Sequence, residues 1–191
     1  MTEMIETTGV RDLQRQLCDL QAQVDDIRTS SLPEDKLSMV VFSGDLDRLL
    51  AAFIIATGAA AMFEEVVMFF TFWATPALRD PAKRPRGKDI ISRMFGWMLP
   101  TGSRQLKLGR MHMGGLGTGM MKGLMRKKNV FSLEQLIGQA AESGVKIYVC
   151  EMSMGLMGFS KDEMIDYPGL ALAGVGKFLG EAASSKTTLF V

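Results

Sequence analysis

The chain has 191 residues, 47% of them hydrophobic and 23% charged, with a formal net charge of +1. Those values describe a globular chain with a sizeable core, and the near-neutral balance excludes a strong whole-surface pull towards nucleic acid or acidic membranes. Two distant cysteines, Cys18 and Cys150, and the lone His112 argue against a disulfide framework and a structural metal site, so the chain reads as cytoplasmic and reduced.

In chain order, the first feature is an apolar stripe. Val10, Leu13, Leu17, Leu20, Val24 and Ile27 follow one another at spacings of 3, 4, 3, 4 and 3, an a/d heptad seam with Arg, Asp and Gln on the remaining positions. This predicts an N-terminal helix within residues 1–32 that either pairs with a copy of itself, the favoured reading as an oligomerisation element, or lies on its own domain, and its charges do not fit a secretory signal. "SSLPEDK" (30–36) breaks it.

The main domain, residues 36–191, opens on "KLSMVVFS" (36–43), a continuous apolar strand. Asp45 in "GDLDR" is placed to cap a helix running to about Phe63. "EVVMFFTFW" (65–73) reads as a second buried strand. The charge-free run "LLAAFIIATGAAAMF" (49–63) is shorter than the roughly 20 apolar residues of a spanning helix, which argues against membrane association. Wholly apolar strands alternating with helices predict an α/β fold, a mostly parallel sheet with helices on both faces.

Beyond Ala74 the pattern loosens. "RDPAKRPRGKD" (79–89), with Arg93 just after it, reads as an exposed basic loop, and "IISRMFGWML" (90–99) as a short amphipathic helix. "MHMGGLGTGMMKGLMRKKNV" (111–130) reads as a flexible, methionine-lined segment. Its Gly115, Gly117 and Gly119 lack the spacing of a dinucleotide fingerprint, and no Gly-Lys-Ser/Thr follows. Ser132 and Gln135 form a capping box for a helix that Gly144 stops. "VKIYV" (145–149) is a strand with Cys150 at its carboxyl end. "EMSMGLMG" (151–158) starts another helix, "KDEMID" (161–166) is a short one, "GVGKFLGEAASS" (174–185) is amphipathic, and "TTLFV" (187–191) is a last strand.

Cys150 admits two readings. Reactive groups gather at the carboxyl ends of strands in open α/β sheets, and a helix starting just beyond would aim N–H groups at the sulfur and favour the thiolate. Glu151 opposes this by like-charge repulsion, while Met152, Met154 and Met157 would supply a polarizable apolar wall. Alternatively, Cys150 simply completes a core strand, free cysteine being among the most buried residue types. No second cysteine lies nearby, which excludes a Cys-x-x-Cys oxidoreductase.

Three stretches, "VVFSGDLDRLLAAFIIATGAAAMFEEVVMFFTFWA", "GGLGTGMMKGLMRKKNVFSLEQLI" and "GVKIYVCEMSMGLMG", resemble the DsrE/F-like family, in the branch labelled DsrE-type sulfurtransferase or peroxiredoxin-like. The resemblance spans roughly residues 37–191, with "CEMSMGLMG" its most specific element. It implies a compact α/β domain assembled as a homo- or hetero-oligomer, and a cysteine that carries sulfur as a persulfide between protein donor and acceptor without metal or organic cofactor. The matching cysteine is Cys150, which would need to be accessible. Backbone N–H groups of Met152 and Ser153 would stabilise the sulfur anion, and Gly44, Asp45, His112, Met113, Gly117 and Met154 would form a pocket. No cysteine lies between Cys18 and Cys150, which favours transfer between proteins over an internal relay. The peroxiredoxin label gains no support, since no Thr-x-x-Cys motif is present. A second reading is a non-catalytic oligomeric module binding a nucleotide or coenzyme A through the basic loop and "KGLMRKK" (122–128).

Overall fold

The computed structural model describes residues 14–27, 32–83, 94, 96, 98–110 and 112–191. It divides into two units, Met1–Glu34 and Asp35–Val191. In the first, residues 14–27 form helix α1. Its stripe residues Leu17, Leu20, Val24 and Ile27 are 47–60% exposed; Val10 and Leu13 lie outside the described residues.

The second unit is built on five strands: β1 (Glu34–Val41), β2 (Glu65–Phe70), β3 (Lys146–Cys150), β4 (Leu170–Ala173) and β5 (Ser185–Phe190). They lie in the order β4-β3-β2-β1-β5. The pairs β1–β2, β2–β3 and β3–β4 are parallel. At the other edge, the Val191 N–H donates to the Val40 carbonyl and the Phe42 N–H to the Val191 carbonyl, the slanted pattern of a parallel pair. The chain is an α/β fold with an all-parallel sheet.

The helices are α2 (Leu46–Ala59), α3 (Leu116–Lys127), α4 (Leu133–Glu142), α5 (Glu151–Met157) and α6 (Val175–Ser184). Alternation along the strands sorts their side chains onto two faces. Leu37, Met39 and Val41 of β1, Val66, Met68 and Phe70 of β2, and Ile147 and Val149 of β3 share the main core with Leu49 and Phe53 of α2 and Leu133 and Leu136 of α4. The other face carries a much smaller cluster, Phe69, Cys150, Ala173 and Phe178, with Val40, Tyr148 and Ala182 against it. That face is covered by α6. Strands β1 to β4 step towards one edge, so the return from β4 to β5 must recross the sheet, and it brings a helix onto the second face.

Most elements arise where the sequence places them, and the differences have local causes. Asp45 occupies the N-cap position of α2, but its side chain makes no cap hydrogen bond. It accepts from the Ser43 hydroxyl at 3.0 Å and pairs with Arg48 at 3.9 Å. α2 stops at Ala59, four residues short of Phe63. β2 ends at Phe70 because Phe72 adopts a left-handed φ of 44°, which a strand cannot continue, and a 3₁₀ turn over Phe72–Leu78 follows. Arg79 is not part of a solvated loop: it is buried, 2.9 Å from Glu163, with its guanidinium 4.3 Å from the Phe159 ring centre. Arg84, Arg86, Lys88 and Arg93 lie outside the described residues, as does most of the helix expected at 90–99, of which residues 94, 96 and 98 are helical.

The Gly/Met-rich stretch is a helix, not a flexible segment. Gly114 and Gly115, at φ 63° and 105°, make the turn into α3, where Leu, Met, Lys and Arg supply enough helix propensity to offset Gly117, Gly119 and Gly123. The Ser132–Gln135 capping box is present. "KDEMID" holds only a 3₁₀ turn, Lys161–Glu163. Strand β4 is an addition to the expected set: "LALA", beside Pro168 and Gly169, is too short to announce itself by alternation.

Among the described residues no helix is long and apolar enough to cross a membrane.

Candidate functional site

The carboxyl ends of β2 and β3 lie side by side, with Phe70 opposite Val149. The chain leaves these ends through Thr71 and Cys150. Cys150 is the N-cap residue of α5, at φ −66° and ψ 113°, so Glu151, Met152 and Ser153 form the first helical turn. An N-cap side chain faces the N–H groups two and three residues on. The thiol closes no formal cap hydrogen bond onto the helix, sulfur being a weak acceptor. The same N–H groups nevertheless lie close enough to favour its anion.

Ser153 completes this arrangement from the third helical position. It is fully buried. Its hydroxyl oxygen lies 2.9 Å from the Thr71 hydroxyl and accepts the Phe72 N–H at 3.0 Å. The left-handed Phe72 is the residue that turns this N–H towards Ser153. Burial by itself raises the Cys150 pKa. The Ser153 hydroxyl, the Ser153 N–H, the Thr71 hydroxyl and the Met152 N–H outweigh it and hold the thiol below its ordinary value.

The sulfur is not at an open rim. Cys150 is 3% exposed, packed with Phe69, Ala173 and Phe178. It therefore has two unlike sides: hydrocarbon from the sheet and α6, and hydroxyl and N–H groups from Thr71 and α5. Of the apolar neighbours, Phe69 and Ala173 are fixed in strands, whereas Phe178 belongs to α6 and stacks on Phe69 with ring centres 5.0 Å apart. α6 is the cover.

The cover is fastened at its far end by charge. Glu181 accepts from Lys36 of β1 at 2.7 Å and pairs with Lys177 at 2.6 Å, while the Tyr148 hydroxyl donates to it at 3.5 Å. Burial pushes the Glu181 carboxyl up, but the contacts with Lys177 and Lys36 prevail and bring it down to about 2. In Cys18→Ser protein, Phe178→Ala should speed alkylation of Cys150 several-fold at constant pH, because it removes the α6 ring from the apolar cluster that encloses the sulfur while leaving the Glu181 contacts in place. An unchanged rate in the folded variant would mean that something other than α6 limits access.

The other residues expected at the site are scattered. Met154 and Met157 pack into the main core, on the opposite face of the sheet from Cys150, so they form no wall round the sulfur; Met152 is exposed. Gly44 lies against the Trp73 carbonyl, where a Cβ would collide. Asp45 packs against Gly109, again leaving no room for a Cβ. His112 Nδ1 is 3.1 Å from the Thr118 hydroxyl, Met113 is exposed, and the Gly117 N–H donates to the His112 carbonyl. These contacts stabilise the entry to α3 and, among the described residues, none reaches Cys150. The residues missed by sequence reasoning are Thr71, Phe72, Phe178 and Glu181. Thr71 had a signal, the one hydroxyl in the apolar run "VVMFFTFW". Among the described residues no cluster of three or more His, Cys, Asp or Glu could hold a metal ion.

Comparison with known proteins adds an independent line. The profile of the DsrE/DsrF/DrsH-like family matches residues 33–190. The chain is 42% identical over 156 residues to "Uncharacterized protein YrkE" of Bacillus subtilis, covering 82% of this chain and 96% of that protein. It is 33% identical over 164 residues to "Sulfur carrier protein DsrE2" of Allochromatium vinosum, covering 84% of this chain and 100% of that protein. Among solved structures, the YchN protein of E. coli aligns with a TM-score of 0.48 at 12% identity, over 82% of this chain and 98% of its own.

Proposed function

The chain belongs to the DsrE/DsrF/DrsH-like family, and we propose that it is a sulfur carrier that holds a persulfide on Cys150 and passes it to a protein partner. The observation that carries this reading is the place of Cys150 at the carboxyl end of β3 and the N-cap of α5, with the buried Ser153 hydroxyl and Thr71 at the same strand ends, groups that hold the thiol below its ordinary value in spite of burial. The similarity to a protein named as a sulfur carrier supports the same reading.

The chemistry requires no cofactor. The Cys150 thiolate attacks the terminal sulfur of a donor persulfide, R–S–SH. A bond forms between Sγ and that sulfur, the donor's S–S bond breaks, and R–S⁻ leaves. An acceptor thiolate then attacks the same terminal sulfur and Cys150 departs as thiolate, so no net oxidation occurs. The donors that favour the Cys150 thiolate also make it a good leaving group in the second step. Donor and acceptor are read as proteins whose approach displaces α6, because the resting sulfur is covered. The exposed seam of α1 is read as the element that joins copies of the chain.

Cyanide tests the reading, since it takes a sulfane sulfur as thiocyanate. Cys18→Ser protein incubated with a persulfide donor and desalted should release about one thiocyanate per chain, and the additional Cys150→Ser change should abolish the release. Equal release from both proteins would refute carriage on Cys150.

A further inference from the structure

A cavity of about 290 Å³ lies between α3, α4 and the 3₁₀ turn Ser103–Gln105, and sulfur carriage makes no use of it. Its charge is unusual for this chain. Although the whole protein carries +1, residues 83–133 hold 12 of its 22 Lys and Arg and only one of its 21 Asp and Glu. Three of those cations, Arg104, Lys122 and Arg126, line the cavity. None of the three forms an ion pair with a carboxylate among the described residues, in contrast to Lys36, Arg79 and Lys177. Lys122 donates instead to the main-chain carbonyl of Arg104 at 3.0 Å, which ties α3 to the 3₁₀ turn Ser103–Gln105.

The one carboxylate in the wall is Glu134. The Ser103 hydroxyl donates to it at 2.8 Å. Burial raises its pKa, but its own N–H, the Ser103 and Ser132 hydroxyls and the charge of Lys122 prevail and hold it below the ordinary carboxylate value. Three cations against one fixed anion leave a local excess of two positive charges. Between the charged groups the wall carries an apolar part, Leu46, Met125, Val130 and Leu133, beside the polar Ser103, Ser132 and Gln135. The volume is near the lower end of the range for small-molecule sites, about 300–1,000 Å³.

We propose that this cavity binds a small phosphomonoester: a dianionic phosphate held by Arg104, Lys122 and Arg126, with an apolar body lying against Met125, Val130 and Leu133. A dianion matches the excess charge, whereas a monoanion leaves one positive charge unmatched. Arginine suits the phosphate because its planar fork donates two parallel hydrogen bonds. A bare phosphate would satisfy the cations and leave the apolar wall wet.

Phenyl phosphate is the minimal probe, with inorganic phosphate and phenol as its two halves. Titrated calorimetrically into the full chain, phenyl phosphate should bind at least tenfold more tightly than inorganic phosphate, and phenol should give no saturable heat. Arg126→Gln and Lys122→Gln, both at accessible positions, should each weaken phenyl phosphate tenfold or more with circular dichroism unchanged. Cys150→Ser should leave binding as it is, which separates this site from sulfur carriage. No binding of phenyl phosphate, affinity equal to that of inorganic phosphate, or binding indifferent to both substitutions would overturn the proposal.

Discussion

In protein whose exposed Cys18 is replaced by Ser, Ser153→Ala should slow alkylation of Cys150 about tenfold near neutral pH. The hydroxyl removed is the strongest of the groups that favour the thiolate against burial. A hydrogen bond to an ionised group is worth about 1.5–3 kcal/mol, and the lower bound already corresponds to roughly a factor of ten in thiolate population. The alkylation profile should also move to higher pH, since loss of the donor raises the thiol pKa. Ser153 is fully buried and accepts the Phe72 N–H, so the substitution also leaves that donor unsatisfied, at a cost of about 1–3 kcal/mol in stability. Thr71→Val provides a check that keeps Ser153: it should shift the profile in the same direction and by less, because Thr71 ranks after both contacts from Ser153. A folded Ser153→Ala protein that alkylates at the wild-type rate would show that the hydroxyl does not act on the sulfur.

Glu181→Ala should be the most destabilising single change on the α6 face. Its carboxylate is nearly buried and meets Lys36 at 2.7 Å and Lys177 at 2.6 Å. Removing one partner of a buried ion pair typically costs about 3–5 kcal/mol, and the lower end applies here because Lys36 keeps Glu65 at 3.9 Å and the Ser184 hydroxyl at 3.3 Å. For a domain of this size that lowers the melting temperature by roughly 10 °C. Acidity supplies a second signature. The folded carboxyl is depressed to about 2 from an ordinary 4.5, so its stabilisation is fully present above pH 4.5 and lost as pH falls from there towards 2. The gap in melting temperature between wild type and variant should be widest near neutral pH and narrow between pH 4.5 and pH 2. A constant gap would mean that Glu181 acts through packing and not through charge. Since the same contacts fasten the cover, Cys150 alkylation should be faster in the variant at temperatures where it remains folded.

The sheet was legible because its strands are apolar on both faces: "VVMFF" and "KIYVC" need no alternation to be read as buried parallel strands, and the second runs directly into helix-forming sequence. The capping box at Ser132 was legible for the same reason, its chemistry being local. Cys150 at a strand end with a helix beyond it was likewise written in "VKIYVCEMSMG". What surrounds Cys150 was not. Phe178 reaches it only because the chain recrosses the sheet from β4 to β5, and β4 is four residues of unremarkable composition. Thr71 reaches it through strand register, which one sequence does not reveal. Met154 reads as a neighbour of Cys150 in sequence and lies across the sheet in space, because α5 begins at the strand end and turns its buried side to the main core. The Gly-rich stretch misled through composition: glycine lowers helix propensity, yet α3 forms after a two-glycine turn.

The most direct measurement is the intact mass of the Cys18→Ser protein after exposure to a persulfide donor and removal of excess reagent. The wild-type site should gain one sulfur atom, localised by fragmentation to the peptide containing Cys150 and released by a reducing thiol; Cys150→Ser should gain none. A Cys150 that stays unmodified in folded protein, or an added sulfur that persists in Cys150→Ser, would contradict a sulfur-carrying role for this thiol.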